Sequence, residues 1–318
     1  MSYPTNRGHS ASRTASSGNP FSAVKRWFWL GLFVLIFAML VQTSMPVQQL
    51  RDTLYGTALG FAATLAGALF LLLPGRHHAR WLDLALSVSG GMMLSAAVFS
   101  LLLPASELLR QQQIPAQWQL VLAGTVLVGA LLMSLLEKHV PHGQLEKHVP
   151  HGHPVAGDSA TSHRPSNRLW LFVCAIALHN IPEGMAVGVS FASVNAQLGQ
   201  SVSLAIALQD FPEGFAMAMV LLKLNVRPLA AFGWSLLAAA LEPVAAVIAL
   251  ALSSSLNGVL ALTNPLALAL AAGAMFFVVI HEVIPETHSA HASYSPRSST
   301  MLFLIGFLLL WLLDTAFA

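Results

Sequence analysis

The sequence predicts an all-α polytopic membrane protein with nine transmembrane helices, and three observations carry that expectation. Only 9% of the 318 residues are charged, against about 25% in an ordinary soluble domain. Hydrophobic residues make up 56% of the chain, and they gather into nine runs near the roughly 20 residues that a helix needs to cross a bilayer. Lys and Arg also alternate with those runs as orientation rules require. With the N-terminus inside, thirteen of the fifteen basic residues lie on the inner side, leaving Arg51 and Arg110 outside.

Taken in order, residues 1–26 are rich in Ser, Gly, Thr and Asn and are expected to be a disordered cytoplasmic segment. The run at 27–43 is long for the apolar part of a signal peptide and lacks an A-x-A cleavage site, so it reads as an extra N-terminal anchoring helix. Runs at 55–74, 82–104 and 117–136 supply three core helices within 55–136. A polar loop at 137–167 follows, in which LEKHVPHG occurs at 136–143 and again at 145–152. Such low-complexity sequence is expected to be unstructured. It holds His139, His142, His148, His151, His153 and His163, imidazoles on a tether that can bind zinc or copper weakly. Residues 168–318 supply the last five helices, at 168–194, 199–224, 228–252, 262–284 and 301–317, and the C-terminus then lies on the periplasmic side. The lone Cys174 offers neither a disulfide framework nor a CxxC metal knuckle.

Chemistry enters where polar residues interrupt the apolar runs. His179-Asn180-Ile181-Pro182-Glu183-Gly184 and Gln209-Asp210-Phe211-Pro212-Glu213-Gly214 share one pattern, thirty residues apart. Residues at i, i+3 and i+4 share a helix face, so His179 and Asn180 stack with Glu183, and Gln209 and Asp210 stack with Glu213. At about 1.5 Å per residue, His179 counted from Arg168 and Glu213 counted from Lys223 both lie about 15 Å deep, near the middle of a core about 30 Å thick. The two helices run antiparallel, so their polar patches meet at one level. Pro182 and Pro212 remove backbone hydrogen bonds, and each helix is expected to kink or unwind there, freeing the carbonyls of Leu178 and Leu208 as further oxygen ligands. Glu242, followed by Pro243, adds an acid deep in the next run.

Carboxylates at that depth are costly unless paired, and they mark function by default. No Lys or Arg occurs between 169 and 222 or between 228 and 296, which leaves protons, a basic group from elsewhere or a bound cation. An imidazole among oxygen ligands disfavours a purely hard Ca²⁺ or Mg²⁺ site, and the absence of thiolates disfavours Cu(I). Zn²⁺, Cd²⁺, Fe²⁺ and Mn²⁺ remain, and the ligands suffice for one ion or for two adjacent ions. These ions are cargo; no cofactor is expected. Gly184 and Gly188 form a GxxxG pair suited to close helix packing.

Two flanking groups complete the candidates. Met93, Ser100 and Glu107 recur every seven residues on nearly one helix face, an outward path toward the site. His281, Glu282, Glu286, His288 and His291 form a second cluster at the inner end of the eighth run, suited to metal release.

These residues resemble the ZIP family of zinc and iron transporters, in particular the bacterial ZIPB type. The resemblance rests on HNIPEG at 179–184, QDFPEG at 209–214, Glu242-Pro243, GGMMLSAAVFSLLLP at 90–104 and HEVIPETH at 281–288, and covers roughly 55–318. It implies eight core helices in inverted repeats, with the extra N-terminal helix preceding them. It implies one metal site at Met93, His179, Glu183 and Glu213, and a neighbouring one at Asn180, Glu183, Asp210, Glu213 and Glu242, with Gln209 beside them. It further implies influx into the cytosol, an elevator-like motion of the metal-binding helices, and often a homodimer in the inner membrane. The duplicated loop departs from the family pattern, so histidines there cannot be matched one to one.

Other functions are less well served by the residues. A selective channel would use the same ligands, and a membrane metal sensor would use the histidine loop. A membrane metalloprotease needs H-E-x-x-H, and His281-Glu282-Val283-Ile284-Pro285 lacks the second histidine, so no enzyme is expected. Divalent metal and membrane lipid are the expected partners, and nucleic acid is not.

Overall fold

Helices account for all the regular secondary structure in the described part of the chain. The structure is a computed structural model that describes residues 46–70, 78–138, 165–193, 196–257, 262–289 and 292–317. The expected helix at 27–43, the disordered start, most of the histidine loop and His291 lie outside these residues. Helix α1 is Val47–Phe70. A long rod follows, made of α2 (His78–Ser95), a π-helical stretch (Ala96–Leu102) and α3 (Leu103–Gln111). Next come α4 (Trp118–Lys138), α5 (Pro165–Ala192) and α6 (Ala196–Lys223). Then α7 (Pro228–Ala239) leads into α8 (Leu241–Asn257), and α9 (Thr263–Val278) passes through a π-helical stretch (Val279–Val283) into the short α10 (Ile284–Thr287). Helix α11 is Pro296–Phe317.

Seven of these continuous helical segments are long and apolar enough to cross a membrane, and α5, of 28 residues, is as long as any of them but one or two. The chain is an all-helical, multi-pass membrane protein. Helix ends extend beyond the apolar runs, so the first core helix starts at Val47 and not at 55. Gln48, Gln49, Arg51 and Asp52 form its first turns. Polar side chains at a helix end reach water while their backbone stays helical, and a hydropathy window trims them away.

Proline acts differently at different positions. The helices do not unwind at Pro182 and Pro212, since α5 and α6 run through both residues. The irregularities lie elsewhere. Leu103 N–H donates to Val98 O just before Pro104, and Ile284 N–H donates to Val279 O just before Pro285. Each is an i→i−5 bond, so a π-turn absorbs the carbonyl crowding that proline creates. The run at 228–252 forms one membrane-length segment, Pro228–Leu256, with a single turn at Ala240 that divides it into α7 and α8. Pro243 then falls in a first turn, where its missing N–H costs nothing, and Glu242 sits where the helix dipole favours an acid.

Four helix pairs approach closely enough that glycine meets a backbone carbonyl across the contact. A side chain at Gly67 would strike Phe211 O and one at Gly214 would strike Thr64 O, joining α1 to α6. Gly184 and Gly188 face Glu242 O and Ala246 O, joining α5 to α8. Gly91 with Phe303 O and Gly306 with Val88 O join α2 to α11, and Gly129 with Leu270 O and Gly273 with Val126 O join α4 to α9. Such small-residue seams are how apolar helices associate where no hydrophobic driving force exists between them. All of these seams fall within two sets, α1 with α5–α8 and α2–α4 with α9–α11. The sets meet through the main apolar cluster, which includes Met93, Ala97, Leu101, Val187, Ile206, Leu268 and Met275.

Candidate metal centre

The two repeated motifs meet where α5 and α6 face each other. Gln209 Nε2 donates to Glu183 Oε1 at 2.6 Å across that contact. One carboxylate oxygen from each of Glu183, Asp210 and Glu213 lies within 4.8 Å of the others. Glu183 and Gln209 are 0% exposed, Asp210 2% and Glu242 1%, and Glu213 is partly buried. Asn180 Nδ2 donates to Ala238 O at 3.2 Å, which ties α5 to the last turn of α7 just before the break that presents Glu242. Glu242 reaches the cluster beside α1, since its two carboxylate oxygens and Asp210 Oδ2 all face the α-carbon of Gly60.

Several oxygens here find no hydrogen-bond partner among the described residues: Glu183 Oε2, Asp210 Oδ2, Glu213 Oε2, Glu242 Oε1 and Gln209 Oε1. Buried polar atoms are nearly always satisfied, and unsatisfied ones need an explanation. Four acids with open oxygens, in spans free of Lys and Arg, form a donor set of hard-to-borderline oxygen ligands that fits a divalent cation.

His179 stands at the edge of this cluster and is engaged elsewhere. Its Nε2–H donates to Glu282 Oε1 at 3.0 Å, which bridges α5 to the π-helical stretch after α9. Residues of the release cluster separate accordingly. His281 Nδ1 lies 3.5 Å from Glu137 Oε1 on α4, and the His281 ring stacks on Phe277 at 4.9 Å. Glu286 is exposed. His288 is a helix-end fastening, with Nδ1 on Ile284 O at 2.9 Å and Nε2 on Thr300 Oγ1 at 2.9 Å, so the structure does not bring its ring nitrogens to the other cluster residues.

The expected outer path is not one continuous face. The π-turn at Ala96–Leu102 changes the register between Met93 and Glu107. Met93 is 4% exposed and belongs to the main apolar cluster, which Leu178 and Leu208 also line. Ser100 is buried, and its hydroxyl donates to Asp314 Oδ1 at 3.1 Å. Glu107 is exposed and interacts with Arg110 at 3.9 Å and Gln111 at 3.4 Å.

Sequence reasoning missed four contributors: Gly60, Glu137, Asp314, and Ser89, whose hydroxyl donates to Gln209 O at 3.4 Å. Only Gly60 left a readable trace, as Gly56, Gly60, Thr64 and Gly67 place small residues along one side of α1.

A family model described as "ZIP Zinc transporter" matches residues 142–314. The chain belongs to the ZIP family. Among similar ZIP proteins is the zinc transporter ZIPB of Bordetella bronchiseptica, 40% identical over 82% of this chain and 80% of that protein. The zinc transporter GufA of Myxococcus xanthus is 36% identical over 82% of this chain and 97% of its own length. The zinc transporter ZIP11 of Xenopus tropicalis is 28% identical over 85% and 97%. These relatives are named as transporters and none as an enzyme, in agreement with the reading of the sequence.

Proposed function

We propose that this ZIP protein carries a divalent transition metal, Zn²⁺ first, across a bacterial inner membrane into the cytoplasm by alternating access. The observation that carries the proposal is the buried meeting of Glu183, Asp210 and Glu213 within 4.8 Å, with open oxygens and no Lys or Arg between 169 and 222. Ionised together without a cation, three acids this close would repel strongly in a medium of low dielectric. A passing divalent ion removes that repulsion and receives ligands that replace its hydration shell.

His179, Met93, Glu183 and Glu213 are assigned to one ion. Asn180, Asp210, Glu242 and the shared acids are assigned to an adjacent one, with Gln209 holding Glu183 in place. The zinc transport named for the bacterial relatives supports the choice of metal. The Lys and Arg distribution supports nine spans with the N-terminus inside and the C-terminus outside.

The pattern of seams supports the motion. All the ligand-bearing helices except α2 fall in the set of α1 with α5–α8, and none of the glycine–carbonyl contacts joins that set to the other. Alternating access then needs the apolar contact between the sets to slide, with the His179–Glu282 bridge and the Ser89–Gln209 hydrogen bond opening as it does.

Zinc uptake into proteoliposomes loaded with a fluorescent chelator tests the proposal. The wild type is expected to fill them, and Glu183→Ala/Glu213→Ala is expected not to. Uptake that survives the double substitution would overturn the assignment of the pathway. A wild type that binds zinc but moves none would mark a sensor instead.

A further inference from the structure

We infer that Gly60 sets the room available to a cation between Asp210 and Glu242, so that this glycine determines what the inner part of the metal centre accepts. The inference rests on the proposed metal centre and adds a residue that carries no ligand atom. Gly60 lies in the middle of α1, which offers no acid or histidine to the cluster. A Cβ at position 60 would stand 2.6 Å from Asp210 Oδ2, 2.8 Å from Glu242 Oε1 and 2.9 Å from Glu242 Oε2.

The point left open by the missing side chain is therefore bounded by three carboxylate oxygens from two different helices. Two of them, Asp210 Oδ2 and Glu242 Oε1, have no hydrogen-bond partner among the described residues, and both side chains are at least 98% buried. Metal–oxygen distances run from about 2.0 Å for Zn²⁺ to about 2.6 Å for Ca²⁺, so an ion held by these carboxylates would lie against the open side of Gly60, where an added methyl would crowd it.

The other close glycines of α1 and α6 differ in kind. Gly67 and Gly214 face backbone carbonyls and serve helix approach, Gly56 and Gly199 face the side chains of Ser203 and Phe191, and the three atoms nearest a Cβ at Gly60 are all carboxylate oxygens. Alanine at position 60 would make the ends of both ligand side chains shift, since carbon–oxygen contacts below 3.0 Å do not persist. The methyl would also take up room beside the carboxylate pair, and larger ions would be the more affected because they need that room.

The experiment is metal titration of the purified full-length protein with Zn²⁺ and with Cd²⁺, by calorimetry, for the wild type and three variants. Gly60→Ala is expected to weaken binding roughly tenfold or more, in line with the usual cost of overpacking, and to weaken Cd²⁺ more than Zn²⁺. Gly60→Ala/Glu242→Asp, which withdraws two of the three colliding oxygens, is expected to recover part of the Zn²⁺ affinity. Asp210→Asn/Glu242→Gln reports on the site itself.

If that last variant binds both metals like the wild type, the metal-centre reading fails. If it loses affinity while Gly60→Ala binds normally, the inference about Gly60 is wrong and the site stands. Should Gly60→Ala fail to fold, the Glu242→Asp background decides the matter. Folding and binding restored there support the steric clearance, and folding restored without binding overturns it.

Discussion

Replacing Glu282 by alanine is expected to tighten zinc binding, although it removes an acid near the metal path. His179 Nε2 holds its proton toward Glu282 Oε1 at 3.0 Å, and that nitrogen cannot donate to a carboxylate and offer its lone pair to a metal at once. Ligation through Nε2 must therefore break the pair. A hydrogen bond to a charged group contributes about 1.5–3 kcal/mol. The two side chains are 12% and 23% exposed, so water weakens the contact and the lower end, about 1.5 kcal/mol, is the better figure. Removing the competitor should then raise Zn²⁺ affinity about tenfold. Calorimetric titration of purified wild type and Glu282→Ala would measure it, with Glu282→Gln as the conservative comparison. Unchanged or weaker binding in Glu282→Ala would refute the competition and make Glu282 a ligand in its own right. Uptake should fall in the same variant even as binding tightens, because a metal held more firmly at His179 leaves more slowly.

The remaining predictions probe packing, ligand support and selectivity. Gly188→Val should destabilise the protein by about 1–3 kcal/mol, because the added side chain meets the backbone carbonyl of Ala246 and forces α5 from α8; a melting temperature equal to the wild type would contradict that seam. Gln209→Leu strips Glu183 of its 2.6 Å donor and should cost about 1–3 kcal/mol in stability without metal, a loss that saturating zinc should partly recover in a thermal-shift assay. Ser100→Ala removes the hydrogen bond to Asp314 and should cost about 1 kcal/mol; the same substitution in an Asp314→Ala background should cost measurably less if the two residues act as a pair. Substituting His179 or Met93, the soft side chains of the proposed site, should lower the preference for Cd²⁺ over Mn²⁺ in competitive uptake, and an unaltered ratio in both variants would remove them from the proposed coordination shell.

The membrane class, the succession of helices and the acids set within apolar runs were legible in the linear chain because each is a local property. Hydropathy is summed over neighbours, and a polar HNIPEG or QDFPEG within an apolar run stands out wherever the run folds. The i, i+3, i+4 rule placed Asn180 with Glu183 and Asp210 with Glu213 on shared helix faces. It could not say that Gln209 would reach across to Glu183, or that Asn180 would turn to Ala238 O instead. Proline also misled locally: Pro182 and Pro212 sit within unbroken helices, while π-turns precede Pro104 and Pro285 and the chain restarts before Pro243.

What the tertiary structure alone decided are the contacts between residues far apart in sequence. His179 with Glu282 spans 103 positions and Ser100 with Asp314 spans 214, and Glu137 meets His281 from the edge of the repeated loop sequence. These depend on which faces the helices turn toward one another, and that is set by small residues and backbone carbonyls at seams such as Gly188 with Ala246. An apolar run tells that a helix crosses the membrane. Its neighbour is selected by van der Waals fit over the whole interface, a sum of weak terms that exists only once both helices are in place.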